Sequence, residues 1–151
     1  MPARLIHGTA IAVGASAVLI RGPSGAGKSD LALRCLGLSP GPFVADRVLL
    51  VADDQVIVSP AGSGLKLSAP SQIKGKLEVR GLGIVEVETV EEARLALVVD
   101  LAAADQIDRL PEDATCTIEG VQLPRLLLCP FEASAPLKLL LCLKAALLRQ
   151  S

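Results

Sequence analysis

The chain has no tryptophan and no tyrosine, and only two phenylalanines and one histidine among its 151 residues. Fifteen basic and sixteen acidic side chains leave a net charge of −1. Surfaces that hold nucleic acid combine an excess of positive charge with aromatic rings for stacking. With neither in supply, nucleic acid is not the expected partner. The four cysteines, Cys35, Cys116, Cys129 and Cys142, form no C-x-x-C pair, and His7 is the sole imidazole. That disfavours a zinc centre, and the thiols are expected to be small buried apolar side chains and not disulfides. No apolar run reaches the roughly 18 residues of a membrane-spanning helix, because Lys138 and Lys144 interrupt the leucine-rich C-terminal stretch. Arg4, the apolar stretch to Ile20 and Ala15-Ser16-Ala17 imitate a signal peptide with its cleavage site. Cleavage there would remove most of the strand leading into the Gly22 loop, so a mature cytoplasmic chain without a membrane segment is expected.

What the chain has in excess is aliphatic surface. Hydrophobic residues make up 51%, and a chain of this length is the size of one domain, expected to span 1–151. The surplus points to self-association as the cover for exposed apolar side chains.

The most specific feature is Gly22-Pro23-Ser24-Gly25-Ala26-Gly27-Lys28-Ser29. It satisfies G-x-x-x-x-G-K-[ST] at every position, between the β-branched run Ala17–Ile20 and a helix-like stretch from Asp30 to Leu36. Glycines let the backbone wrap a phosphate chain with its N–H groups pointing inward, and the following helix adds its positive end. Lys28 would reach the β- and γ-phosphates and the Ser29 hydroxyl would bind Mg²⁺, so ATP and Mg²⁺ are the expected ligands.

Around this loop, apolar periodicity and turn chemistry predict strands over 4–13 and 15–21 meeting at Gly14, and a helix ending near Gly37. Further strands are expected at Val48–Ala52, Gln55–Val58, Leu65–Leu67, Ile84–Val87 and Leu95–Val99, with mixed character over 71–80. A last helix from Pro136 to Arg149 has Ser134 as a possible cap and leucine on nearly every face. A P-loop needs an acidic partner for its metal, normally an aspartate at the carboxyl end of a neighbouring strand. Two positions compete, Asp53-Asp54 after Leu49–Ala52 and Asp100 after Leu97–Val99. The adjacent pair is the more informative, because neighbouring carboxylates repel unless a cation or a phosphoryl transfer uses them.

His7-Gly8, the P-loop with Asp30 directly after it, Leu50-Val51-Ala52-Asp53-Asp54-Gln55-Val56, and Leu77-Glu78-Val79-Arg80-Gly81-Leu82-Gly83-Ile84 occur in this order. Together they resemble the motifs of the HPr kinase/phosphorylase catalytic domain. The resemblance runs from His7 to about Arg109. It implies an α/β P-loop domain similar to the phosphoenolpyruvate carboxykinase-like fold, a mixed sheet with flanking helices. The implied activity is ATP-dependent phosphorylation of a seryl hydroxyl on the phosphocarrier protein HPr. Carried over by position, Lys28 and the P-loop hold the triphosphate, Ser29 and Glu78 bind the metal, and Asp54 accepts the seryl proton. Asp53 lies beside Asp54, His7 near the phosphates, and Arg109 matches a later catalytic arginine. A hexamer is the implied assembly. A compact short form, without the N-terminal domain of the long members, is the expectation.

Several positions depart from the family pattern. Pro23 replaces an acidic residue, Asp30 replaces glutamate, and the longer interval before Asp53 contains Val44-Ala45-Asp46-Arg47, which makes Asp46 a rival for the base. Where the family carries an arginine-containing loop tied to dephosphorylation, this chain has Pro130-Phe131-Glu132-Ala133-Ser134-Ala135. Kinase activity is therefore expected to dominate. Two alternatives from other classes are a nucleotide-binding sensor that transfers nothing and a small-molecule kinase using the same site.

Overall fold

A computed structural model describes residues 2–150. In chain order its elements are β1 (Arg4–His7), β2 (Thr9–Val13), β3 (Ser16–Arg21), α1 (Lys28–Leu36), β4 (Val48–Ala52), β5 (Gln55–Ala61) and β6 (Gly64–Ser68). There follow β7 (Lys76–Val79), β8 (Gly83–Glu86), β9 (Glu92–Leu101), a 3₁₀ turn (Ala104–Gln106), β10 (Ala114–Ile118), β11 (Val121–Leu128) and α2 (Ala135–Arg149). The architecture is the expected α/β class with a mixed sheet.

The strand expected over 4–13 divides at Gly8. β1 pairs antiparallel with β5, whereas β2 pairs with both β3 and β4. A side chain at position 8 would bring its Cβ within 3.0 Å of the Ile20 carbonyl oxygen and of Leu19, so only glycine lets the chain change partners there. Two strands, β10 and β11, fall where no element was expected. Ser134 precedes α2 as expected, but its hydroxyl caps nothing, and its carbonyl accepts the Lys138 N–H at 2.9 Å.

The sheet order β1-β5-β6-β9-β3-β2-β4 is organised by β9. One edge of β9 runs parallel to β3. Its other edge is shared, antiparallel to β6 at Glu92–Arg94 and parallel to β11 at Val98–Leu101. Alternation along β3 then divides two cores. Val18 and Ile20 face α1 and α2, against Leu31, Cys35, Leu139 and Leu143, where burial pushes the Cys35 thiol up to about 12. Ala17 and Leu19 face the other way, into a core shared with Val56, Val58, Leu65 and Leu67 of the curled sheet itself. Both helices thus lie on one side, and the sheet covers its own second face. β7 and β8 form a separate hairpin whose Leu77 is buried in the helical core.

This topology positions the site. Because β2 is antiparallel to both β3 and β4, and β9 is parallel to β3, the carboxyl ends of β3, β4 and β9 emerge together at one edge. In α/β sheets that edge is where ligands bind.

Candidate functional site

At that edge β3 ends in Arg21 and the chain enters the loop Gly22–Ser29. Gly27 adopts φ 102°, a conformation that strains any residue with a Cβ, and from there α1 begins at Lys28. The Ala26 N–H donates to the Pro23 carbonyl at 3.1 Å, closing the loop on itself.

Lys28 is 6% exposed, and its Nζ donates to the carbonyl oxygens of Gly22 (2.7 Å) and Pro23 (3.0 Å). No ion pair involves Lys28 among the described residues. A buried ammonium held only by carbonyls keeps its charge uncompensated, which favours an anion beside it.

Asp53, also 6% exposed, is its counterpart. Its Oδ1 accepts from the Ser29 hydroxyl at 2.7 Å and the Thr9 hydroxyl at 2.9 Å, and its Oδ2 accepts the Glu78 N–H at 3.0 Å. All three donors are neutral. One buried cation and one buried carboxylate therefore lie on either side of Ser29, each without an opposite charge. Among the described residues no cluster of three or more His, Cys, Asp or Glu forms a closed metal cage. Mg²⁺ does not require one, since it takes one or two protein oxygens and completes its shell with phosphate and water. Ser29 and Asp53 fit that pattern, and Lys28 with the loop fits a phosphate.

Asp54 differs sharply from its neighbour. Its backbone takes φ 71°, which turns the side chain out to 68% exposure at the cavity mouth, 3.6 Å from His7 Nδ1. The reversal is fixed by two backbone bonds, Gly8 N–H to the Asp54 carbonyl at 3.0 Å and Gln55 N–H to the Asp53 carbonyl at 2.8 Å. The cavity, about 360 Å³, is lined by the P-loop, Thr9, Asp54 and Glu78, and by Leu33, Val79, Arg80 and Phe131.

The structure thus gathers Ser24, Gly25, Gly27, Lys28, Ser29, Asp54 and Glu78 around one cavity, with Asp53 beneath it and His7 at its rim. Gly22, Pro23 and Ala26 form the inner turn of the loop. Arg109 is not brought to this cavity. β9 ends at Leu101, and after the 3₁₀ turn the chain departs along an exposed segment to β10, carrying Arg109 with it. Asp46 precedes β4 and comes within 3.8 Å of the Cβ position of Gly14, in the β2–β3 turn. The six-residue length of β3 (roughly 20 Å) separates that turn from the P-loop. Asp100 meets Arg21 at 2.7 Å and Arg125 at 2.5 Å.

Three contributors escaped the sequence reading. Thr9 carried a signal, a hydroxyl in the otherwise aliphatic strand Thr-Ala-Ile-Ala-Val. Arg80 lay within the Leu77–Ile84 motif, where no role was assigned to it. Phe131 had no local signal.

Comparison with known proteins places the chain in a family. Residues 1–141 match the family model described as HPr Serine kinase C-terminal domain. The chain is 34% identical over 139 residues to a protein of Bordetella pertussis named HPr kinase/phosphorylase, covering 84% of this chain and 42% of the relative. It is 37% identical over 137 residues to the protein of that name from Geobacillus thermodenitrificans, covering 83% and 42%. The chain thus spans less than half the length of these relatives. The structure titled Hpr(Ser) kinase/phosphatase from Coxiella burnetii superposes with a TM-score of 0.79 at 23% identity, covering 98% of this chain and 99% of that one, and shows the same fold. With the family model matched along nearly its whole length, the chain belongs to the HPr serine kinase C-terminal domain family.

Proposed function

We propose that this domain is an ATP-dependent protein serine kinase of the cytoplasm, acting on a seryl hydroxyl of the phosphocarrier protein HPr. The observation that carries the proposal is the division of labour between adjacent carboxylates, Asp53 buried on Ser29 and Asp54 turned outward beside His7. Phosphoryl transfer asks a protein mainly to position reactants and offset charge. Lys28 and the loop N–H groups would hold the triphosphate, while Ser29 and Asp53, with the Glu78 side chain at the cavity wall, would hold Mg²⁺. The bound ion offsets phosphate charge. Asp54 would take the seryl proton as that oxygen bonds to the γ-phosphorus and the bond to the departing ADP oxygen breaks. His7 orients Asp54 from 3.6 Å. Arg80 lines the cavity where Arg109 does not, and so takes the cationic role beside the phosphates.

The reverse reaction, attack of inorganic phosphate on phosphoserine, would be the weaker. The segment Pro130–Ala135 contains no arginine for a doubly charged phosphate, Arg34 is engaged by the carbonyl oxygens of Pro130 and Glu132, and Lys138 is engaged by the Glu132 carboxylate at 2.8 Å. Assembly into an oligomer, a hexamer by resemblance, would cover Leu137 and Leu141, partly exposed one turn apart on α2. Light scattering at micromolar concentration should report it.

The deciding experiment measures ATP consumption with and without purified HPr. HPr-dependent consumption with phosphoserine formed on HPr is expected. ATP binding without consumption would make the protein a sensor, and consumption indifferent to HPr would make it a small-molecule kinase. Release of pyrophosphate from phosphoseryl-HPr in millimolar phosphate should run well below the forward rate.

A further inference from the structure

The chain carries two aromatic side chains, and one of them, Phe131, is left 77% exposed on the wall of the P-loop cavity. A large ring left in water beside a candidate ligand cavity needs an explanation that a scattered surface leucine does not. Its placement is not loose. Arg34 donates to the carbonyl oxygens of both flanking residues, Pro130 and Glu132, the latter at 3.2 Å. The Ala135 N–H also reaches the Glu132 carbonyl, at 3.1 Å. The segment is thereby pinned to α1 on one side and to the start of α2 on the other. The segment also packs against the P-loop itself, since a Cβ at Gly27 would lie in ordinary van der Waals contact with the Pro130 ring (3.4 Å) and Phe131 Cε1 (3.5 Å).

A triphosphate seated on the loop N–H groups buries its phosphates at Lys28 and must direct its nucleoside outward along the cavity wall. Leu33, on the same face of α1 as Asp30, lines the same cavity and adds apolar surface to it. The other aromatic, Phe43, lines a separate groove with Pro42, Val44 and Leu140. Phe131 is thus the one phenyl face that lines this cavity among the described residues, while His7 stands at the rim beside Asp54.

We propose that Phe131 is the stacking platform for the nucleotide base, a specificity role that rests on the nucleotide-binding function above. Stacking uses the face that every base possesses, so the site selects large flat bases over small ones and discriminates weakly between adenine and guanine.

The test separates base from phosphates by calorimetric titration of ATP and of inorganic tripolyphosphate in Mg²⁺. Phe131→Ala should weaken ATP binding about tenfold and leave tripolyphosphate binding within twofold, which also certifies the loop and the fold. Phe131→Trp should keep ATP affinity. Because the chain has no other tryptophan, its emission should change with ATP and not with tripolyphosphate. Unchanged ATP affinity in Phe131→Ala, or Phe131→Trp emission indifferent to ATP, would overturn the proposal while leaving the P-loop function standing. Wild-type protein that binds neither ligand would overturn both.

Discussion

Asp53 and Asp100 stand at the carboxyl ends of two apolar strands, β4 and β9, at the same edge of the sheet, yet their surroundings are opposite. Asp53 is surrounded by neutral donors, two hydroxyls and a backbone N–H. Asp100 is clamped by two guanidinium groups, with Arg21 Nε and Nη2 on its two oxygens at 2.7 and 2.8 Å and Arg125 at 2.5 Å. Hydrogen bonds from neutral groups orient a carboxylate and leave its charge available to a cation. Two permanent positive charges consume it. The spacing of aspartate from P-loop cannot make this distinction, since both residues follow apolar strands. The partners make it, and they come from residues up to 79 positions away.

The comparison is broken most severely at the residue next to Asp53. Asp54→Asn keeps size and turn propensity but cannot accept a proton, so transfer to HPr should fall by about a thousandfold while ATP still binds. The control is Asp46→Asn, at the far end of β3, which should stay within twofold. Phosphoserine formation and ATP titration measure the two effects separately, and equal losses in both variants would remove Asp54 from its role.

Exchanging the two strand ends gives the next largest effect. Asp53→Asn removes the charge facing Ser29, and phosphotransfer should drop about a hundredfold with a raised Mg²⁺ requirement. Lys28→Ala should lose about as much through the opposite charge. Asp100→Asn should leave phosphotransfer within a fewfold and lower the melting temperature instead. An Asp100 variant that lost transfer without losing stability would reverse the assignment.

The parts of this site that were legible in sequence are those whose requirements are local. Gly27 needs a left-handed backbone and Lys28 must follow it, so the loop announces itself. The outward turn of Asp54 was not legible, because it depends on Gly8, which sits between β1 and β2 only because Leu19 and Ile20 leave no room for a side chain. Asx-type tolerance of positive φ allowed it and the tertiary contact imposed it. The hairpin β10–β11 did carry a local signal. Glu119 (φ 48°) and Gly120 (φ 79°) form a two-residue turn, reached through the β-branched Thr115, Thr117 and Ile118 and left through Val121. Reading for continuous apolar runs passes over it, because both strands are mostly half-exposed. Phe131 lines the cavity and Arg109 does not, for one reason. Whether a loop residue reaches a cavity depends on what pins the loop, and Arg34 pins the first while the second travels on an exposed connection.

The smallest effect, and the most discriminating about charge, is the pH dependence of the β9 end. Burial alone would push the Asp100 carboxyl up, but the hydrogen bonds from Arg21 and Arg125 and their charges outweigh it and hold the group below its ordinary range. In the unfolded chain it returns to about 3.9, while both arginines stay protonated throughout. A carboxyl whose folded value is depressed contributes stability that is fully present above the unfolded value and is lost as pH falls through the folded one. At pH 6 the clamp is intact, and replacing it with Asp100→Asn should cost about 2 kcal/mol, near 5 °C of melting temperature for a domain of this size. Lowering the pH to 3, below the unfolded value, should shrink the difference between wild type and variant, because the unfolded chain then takes up a proton at this carboxyl that the folded clamp resists. Asp53 provides the internal contrast, since Asp53→Asn removes no clamp of permanent cations. A wild-type-to-variant difference at Asp100 that stayed constant from pH 6 to pH 3 would show that shape, and not charge, holds β9 against β3 and β11 beneath the phosphate loop.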